Sequence, residues 1–132
     1  MNGLINHIEI YVENLEETRE FYEWLLTKLG YKLFQDWEKG FSFKLDKMYI
    51  VFVEVENDYR SYGYHRKRIG LNHLAFSVDE KSLVNRITNE LLDKNWGILY
   101  SESHPYAGGE GHYAVYFEDP NRIKLEIQSI ES

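Results

Sequence analysis

Residues 70–78 read "GLNHLAFSV", and residues 3–12 read "GLINHIEIYV". The shared pattern (I/L)NH(I/L)x(I/F)xV returns after 73 − 7 = 66 residues, half of a 132-residue chain. Each copy alternates as a strand does. Ile8, Ile10 and Val12 fall on one face with His7, Glu9 and Tyr11 on the other, and Leu74, Phe76 and Val78 oppose His73, Ala75 and Ser77. The apolar face of each strand is expected to pack on a helix, which leaves both histidines on the opposite, more polar face.

The residues around the two copies repeat as well. After the first strand, Asn14 is the expected N-cap of a helix, with Glu17 three residues on and Leu15, Tyr22, Leu25, Leu26 and Leu29 at helical spacing up to Gly30. "YKLFQDW", "FSFKL" and "MYIVFVEVE" then read as strands. After the second strand, Asp79 is the expected N-cap, and Leu83, Val84, Ile87, Leu91 and Leu92 form the apolar face of a helix closed near Gly97. "GILYSE", "HYAVYFE" and "RIKLEIQSI" follow as strands, the last two joined by the turn "DPNR" at 119–122. The expected fold is therefore α+β, one domain of two tandem βαβββ modules: residues 1–56, a polar linker 57–70, and residues 71–132. Such a duplication makes each half one supersecondary unit with a sheet face to cover.

Composition narrows the partners. A formal net charge of −7 argues against nucleic acid or an anionic membrane, which require a cationic face. The absence of cysteine rules out disulfides and thiolate ligands, so a metal here must use nitrogen and oxygen donors. A cytoplasmic location is expected, since nothing resembles an export signal or reaches transmembrane length. With 11 Tyr and 7 Phe, an aromatic core or cleft is expected.

Period-two counting in the last strand of each half sets Val51, Val53 and Val55 against Phe52, Glu54 and Glu56, and Ile123, Leu125 and Ile127 against Lys124, Glu126 and Gln128. Matching "VFVEV" to "IKLEI" pairs Glu54 with Glu126, and a two-residue shift would put Glu56 in place of Glu54. Two histidines and two carboxylates thus share one kind of face, the composition of a nitrogen and oxygen metal site. "HRKR" at 65–68 reads as solvated linker rather than an anion-holding site, and "HPYAGGEG" at 104–111 as a lid or a plain hairpin connection. Tyr113 and Tyr116 fall on opposite faces of their strand, so one of them at most lines a cleft.

"NHIEIYVENLEETREFYEWLLTKLGYKL", "GLNHLAFSV" and "HYAVYFEDPNRIKLEI" together resemble the vicinal oxygen chelate superfamily of glyoxalase I, fosfomycin- and bleomycin-resistance proteins and extradiol dioxygenases. The likeness is strongest to its small bacterial glyoxalase-like members. It implies modules whose curled sheets form an open cleft, and one divalent ion (Zn, Ni, Co, Mn or Fe) held by His7, Glu54, His73 and Glu126. It further implies a lyase or isomerase type of enzyme acting on a small molecule through two adjacent oxygens, with Glu126 or Glu54 as general base, and a homodimer. The alternatives in the same superfamily are a metal-free binding or resistance protein, a thiol transferase and an extradiol dioxygenase. The usual "DPDG" turn is "DPNR" here, and no set of basic residues matches the glutathione-binding positions of glyoxalase I.

Overall fold

Each copy of the doubled motif leads a strand that pairs in parallel with the last strand of its own half. In the computed structural model, which describes residues 2–132, the chain divides into two units, Met1–Gly63 and Tyr64–Ser132. The first contains β1 (His7–Val12), α1 (Leu15–Lys28), β2 (Lys32–Trp37), β3 (Gly40–Leu45), β4 (Met48–Glu54) and a 3-10 helix, Asn57–Tyr62. Its sheet runs β1-β4-β3-β2, parallel only between β1 and β4. The second contains β5 (Leu74–Val78), α2 (Lys81–Asp93), β6 (Ala114–Glu118) and β7 (Lys124–Ser129), in sheet order β5-β7-β6. The α+β expectation of two related modules stands, with neither sheet closed.

Helix α1 begins as its sequence predicts. The Asn14 side chain accepts a hydrogen bond from the Glu17 amide at 2.9 Å, satisfying one of the free donors of the first turn. Its buried stripe is Thr18, Phe21, Tyr22, Leu25 and Leu26, and Tyr22 packs against Phe52 of β4 with tilted rings, centroids 4.2 Å apart. Gly30, at φ +96°, then reverses the chain so that the Tyr31 amide reaches the Leu26 carbonyl at 2.8 Å.

The second helix departs from expectation at both ends. Its N-cap is Glu80 rather than Asp79, and no side chain caps it. Its left-handed terminator is Asn95 at φ 60°, not Gly97, with the Trp96 amide on the Leu91 carbonyl at 3.0 Å. Val84, Ile87, Thr88 and Leu91 are buried, whereas Leu92 is exposed on the far side.

The expected strand "GILYSE" does not form. Leu99 makes a single antiparallel bridge to Tyr116, and Tyr100, at φ 57°, turns the chain into a run of turns. The second sheet therefore has three strands, one fewer than the βαβββ pattern predicts. The expected linker is also divided. Its first part is the 3-10 helix, tied to the first unit by the Arg60 guanidinium, which donates to the Glu13 carbonyl at 2.6 Å. Residues 64–73 belong to the second unit, where the Tyr64 hydroxyl donates to the Leu71 carbonyl at 2.9 Å. Among the described residues, no helix is long and apolar enough to cross a membrane.

Candidate functional site

The second unit gathers its polar side chains around Glu126, near the middle of β7. Because Glu126 is level with Ala75 on β5 and Tyr116 on β6, its carboxylate points away from the face that Leu125 and Ile127 bury. It is 4% exposed, so its oxygens need partners within the protein. Both have one. His73 Nε2 lies 3.1 Å from Oε1, and His112 Nε2 contacts Oε2. Tyr116 also hydrogen-bonds to Glu126, and burial, reinforced by that carboxylate, pushes its phenol up to about 12.

The asparagine of the doubled motif has a structural role. Asn72 Oδ1 sits 2.6 Å from His73 Nδ1, and Asn6 Oδ1 sits 2.7 Å from His7 Nδ1. An amide oxygen only accepts, so each Nδ1 carries a proton, and Nε2 is the nitrogen left to present a lone pair. In the second unit that lone pair faces a carboxylate oxygen. Two such acceptors at 3.1 Å repel unless they share a proton or a cation.

Sequence parity placed His73 and Glu126 on one face, and the structure brings these two together. Tyr116 is on that face as well, while Tyr113 turns to α2 and donates to Asn85 Oδ1 at 2.5 Å. His112 was missed, although counting back by twos from Tyr116 through Ala114 puts it on the same face. The 104–111 loop is a series of turns that approaches this cluster at Gly108. A Cβ there would lie 2.4 Å from the His112 ring and 2.5 Å from the Tyr116 hydroxyl. The "HRKR" run is partly engaged, with Arg66 ion-paired to Glu118.

The first unit corrects the placement of Glu54. His7 is level with Tyr49 and stacks on its ring at 4.7 Å, so Tyr49, Val51 and Val53 share the His7 face. Phe52 points to α1, and Glu54 has the parity of Phe52. Glu54 thus lies on the opposite face from His7, at the strand end, 3.4 Å from Lys39 Nζ. Glu56 lies beyond the strand, as the residue before the 3-10 helix. Counting from each histidine, the position equivalent to Glu126 is Val51: Glu126 is level with Ala75, two beyond His73, and Val51 with Glu9, two beyond His7. The apolar run misleads because Ile50, Val51 and Phe52 are all buried, so burial alone does not mark which face meets the helix.

Among the described residues, no group of three or more His, Asp or Glu is arranged to hold an ion. The His73–Glu126 pair nonetheless has suitable geometry. Neighbouring ligands bonded to one divalent ion at about 2.0–2.2 Å stand roughly 3 Å apart, and these two atoms are 3.1 Å apart.

An open two-module α+β fold with a histidine and a glutamate paired on the sheet defines a class, and the comparisons identify it. Residues 4–127 match the model of the glyoxalase/bleomycin resistance protein/dioxygenase superfamily, and the chain belongs to that family. It is 48% identical over 123 residues to the uncharacterized protein YqjT of Bacillus subtilis (strain 168), covering 93% of this chain and 96% of that one. A crystal structure of a proposed glyoxalase from Bacillus halodurans superposes with a TM-score of 0.95 at 48% identity, over 97% of this chain and 96% of that one. Lactoylglutathione lyase from Agrobacterium tumefaciens shares the fold, with a TM-score of 0.66 at 16% identity, over 98% of this chain and 95% of that one.

Proposed function

We propose that the protein is a metal-dependent, glyoxalase-like enzyme of lyase or isomerase type, acting on a small substrate that binds through two adjacent oxygens. The observation that carries this reading is the His73–Glu126 pair, an imidazole nitrogen and an oxygen of a buried carboxylate at ligand spacing. A divalent ion bound there would supply Lewis acidity, lowering the cost of negative charge that develops on a substrate oxygen. His73 is oriented for the task by Asn72, which keeps the proton on Nδ1. Glu126 has two oxygens in different settings: Oε1 toward His73, and Oε2 toward His112, where it can accept a proton and pass it to the imidazole. Tyr116 stays a neutral phenol throughout the ordinary pH range and serves as a hydrogen-bond donor rather than a base.

Metal analysis of untagged protein tests the reading. Wild type should retain a divalent ion after dialysis, His73→Ala should lose it, and Lys81→Ala, on the surface at the start of α2, should keep it. Equal, background-level metal in all three would sink the proposal. Oxygenase-type chemistry is the second reading, favoured by the placement of Glu54 on the face opposite His7. Without that carboxylate, the side chains gathered within the second unit are two histidines, His73 and His112, and one carboxylate, Glu126, a composition that suits non-haem iron. Oxygen uptake with catechols that depends on Fe(II) would select it over the lyase or isomerase reading.

A further inference from the structure

Lys124 stands two residues before Glu126 on β7, on the same face of the sheet, and is half-buried. Its Nζ donates to the Tyr100 hydroxyl at 2.8 Å and lies 4.9 Å from the Tyr100 ring centroid and 5.2 Å from that of Tyr116. Among the described residues no carboxylate forms an ion pair with it. Glu118, its neighbour across the ladder, is turned instead to Arg66 and to Arg122 Nε, the latter at 3.4 Å. Arg66 and Arg122 thus share Glu118, and Lys124 is left on a tyrosine hydroxyl.

A half-buried ammonium whose hydrogen bond goes to a neutral phenol retains unused donor capacity, and a charge-assisted bond to an anion is the interaction that uses it best. The surroundings connect this point to Glu126. Tyr116 lies under Lys124, hydrogen-bonds to Glu126, and packs edge-on against Tyr100 at 5.5 Å and His73 at 6.2 Å.

We infer that Lys124, cradled by Tyr100 and Tyr116, is a subsite for a carboxylate carried by the substrate whose adjacent oxygens would bind the ion that His73 and Glu126 would hold. The inference rests on the proposed function and narrows its substrate to a small anion. Residues two apart on a strand are separated by about 6.5–7 Å, and a probe of about four carbons with a chelating group at one end and a carboxylate at the other is long enough to span such a gap.

The test compares two hydroxamates of equal chain length, both of which chelate through adjacent oxygens: succinic monohydroxamate, which ends in a carboxylate, and butyrohydroxamate, which ends in a methyl group. Calorimetry at low salt on the zinc-loaded full chain should show the carboxylate probe binding about tenfold tighter or more. Lys124→Met should erase that preference, and Lys124→Arg should retain most of it. Equal affinities in wild type, or a preference that survives Lys124→Met, would overturn the subsite while leaving metal binding intact. A preference undiminished in metal-free protein would support the subsite and count against the metal reading. Failure of both probes in both states would overturn both.

Discussion

In both units the asparagine before the histidine decides which ring nitrogen carries the proton. Asn72→Ala removes the acceptor for His73 Nδ1–H, leaving the ring free to rotate and to place its proton on Nε2. Loss of such a supporting group typically weakens metal binding by about 10–100-fold. The expected outcome is a fall of that size in zinc affinity, measured by competition with a chromogenic chelator, with no change in fold by circular dichroism. Tyr116 gives a second test at this scale. Its phenol ionises at about 12 in the folded protein, against the ordinary 10.0, because burial and then the Glu126 charge disfavour the phenolate. The folded state thus holds its proton longer than the unfolded state does. This term leaves stability intact below pH 10 and reduces it as pH rises from 10 towards 12. Tyr116→Phe should remove one late step from the ultraviolet tyrosinate titration and make the alkaline loss of stability shallower.

The two helices occupy matching places in their units and start differently. Asn14 caps α1 through its side chain, and Glu80 leaves α2 uncapped. Asn14→Ala should therefore cost about 1 kcal/mol, read as a lower denaturant midpoint, while Glu80→Ala should leave that midpoint close to wild type. A comparable loss from both would show that the Asn14 hydrogen bond does not contribute. The strands carry a different constraint. In β3, a Cβ on Gly40 would stand 2.5 Å from the Phe52 carbonyl oxygen and 2.6 Å from the Trp37 ring, so the ladder beside β4 closes only around a glycine.

For the whole molecule, an ion that binds the folded chain and not the unfolded one stabilises it by mass action, about 2.7 kcal/mol when free metal is 100 times the dissociation constant. Zinc should raise the melting temperature of wild type under those conditions and leave that of His73→Ala unchanged. Equal shifts in the two would place the binding elsewhere on the protein.

Much of this organisation was legible in the chain. The doubled "NH" motif, the alternation around it, the helical spacing of Tyr22, Leu25 and Leu26 and the Asn14 cap are local patterns, and local patterns determine strands, helices and their outward faces. His73 and Glu126 could be matched because β5 and β7 carry polar residues among their apolar ones, so parity there is visible. Three features needed more than such a local signal. Glu54 follows a run buried on both faces, and the pairing of His7 with Tyr49 and the contact of Phe52 with Tyr22 decide its side. "GILYSE" has the composition of a strand, yet Tyr100 takes a left-handed turn after one bridge to β6. His112 lies before β6, and its partner is set by the β6–β7 register and by a loop that closes at Gly108. Alternation along a chain reports burial, whereas the meeting of side chains 14 or 53 residues apart depends on strand register, which only the packed sheet supplies.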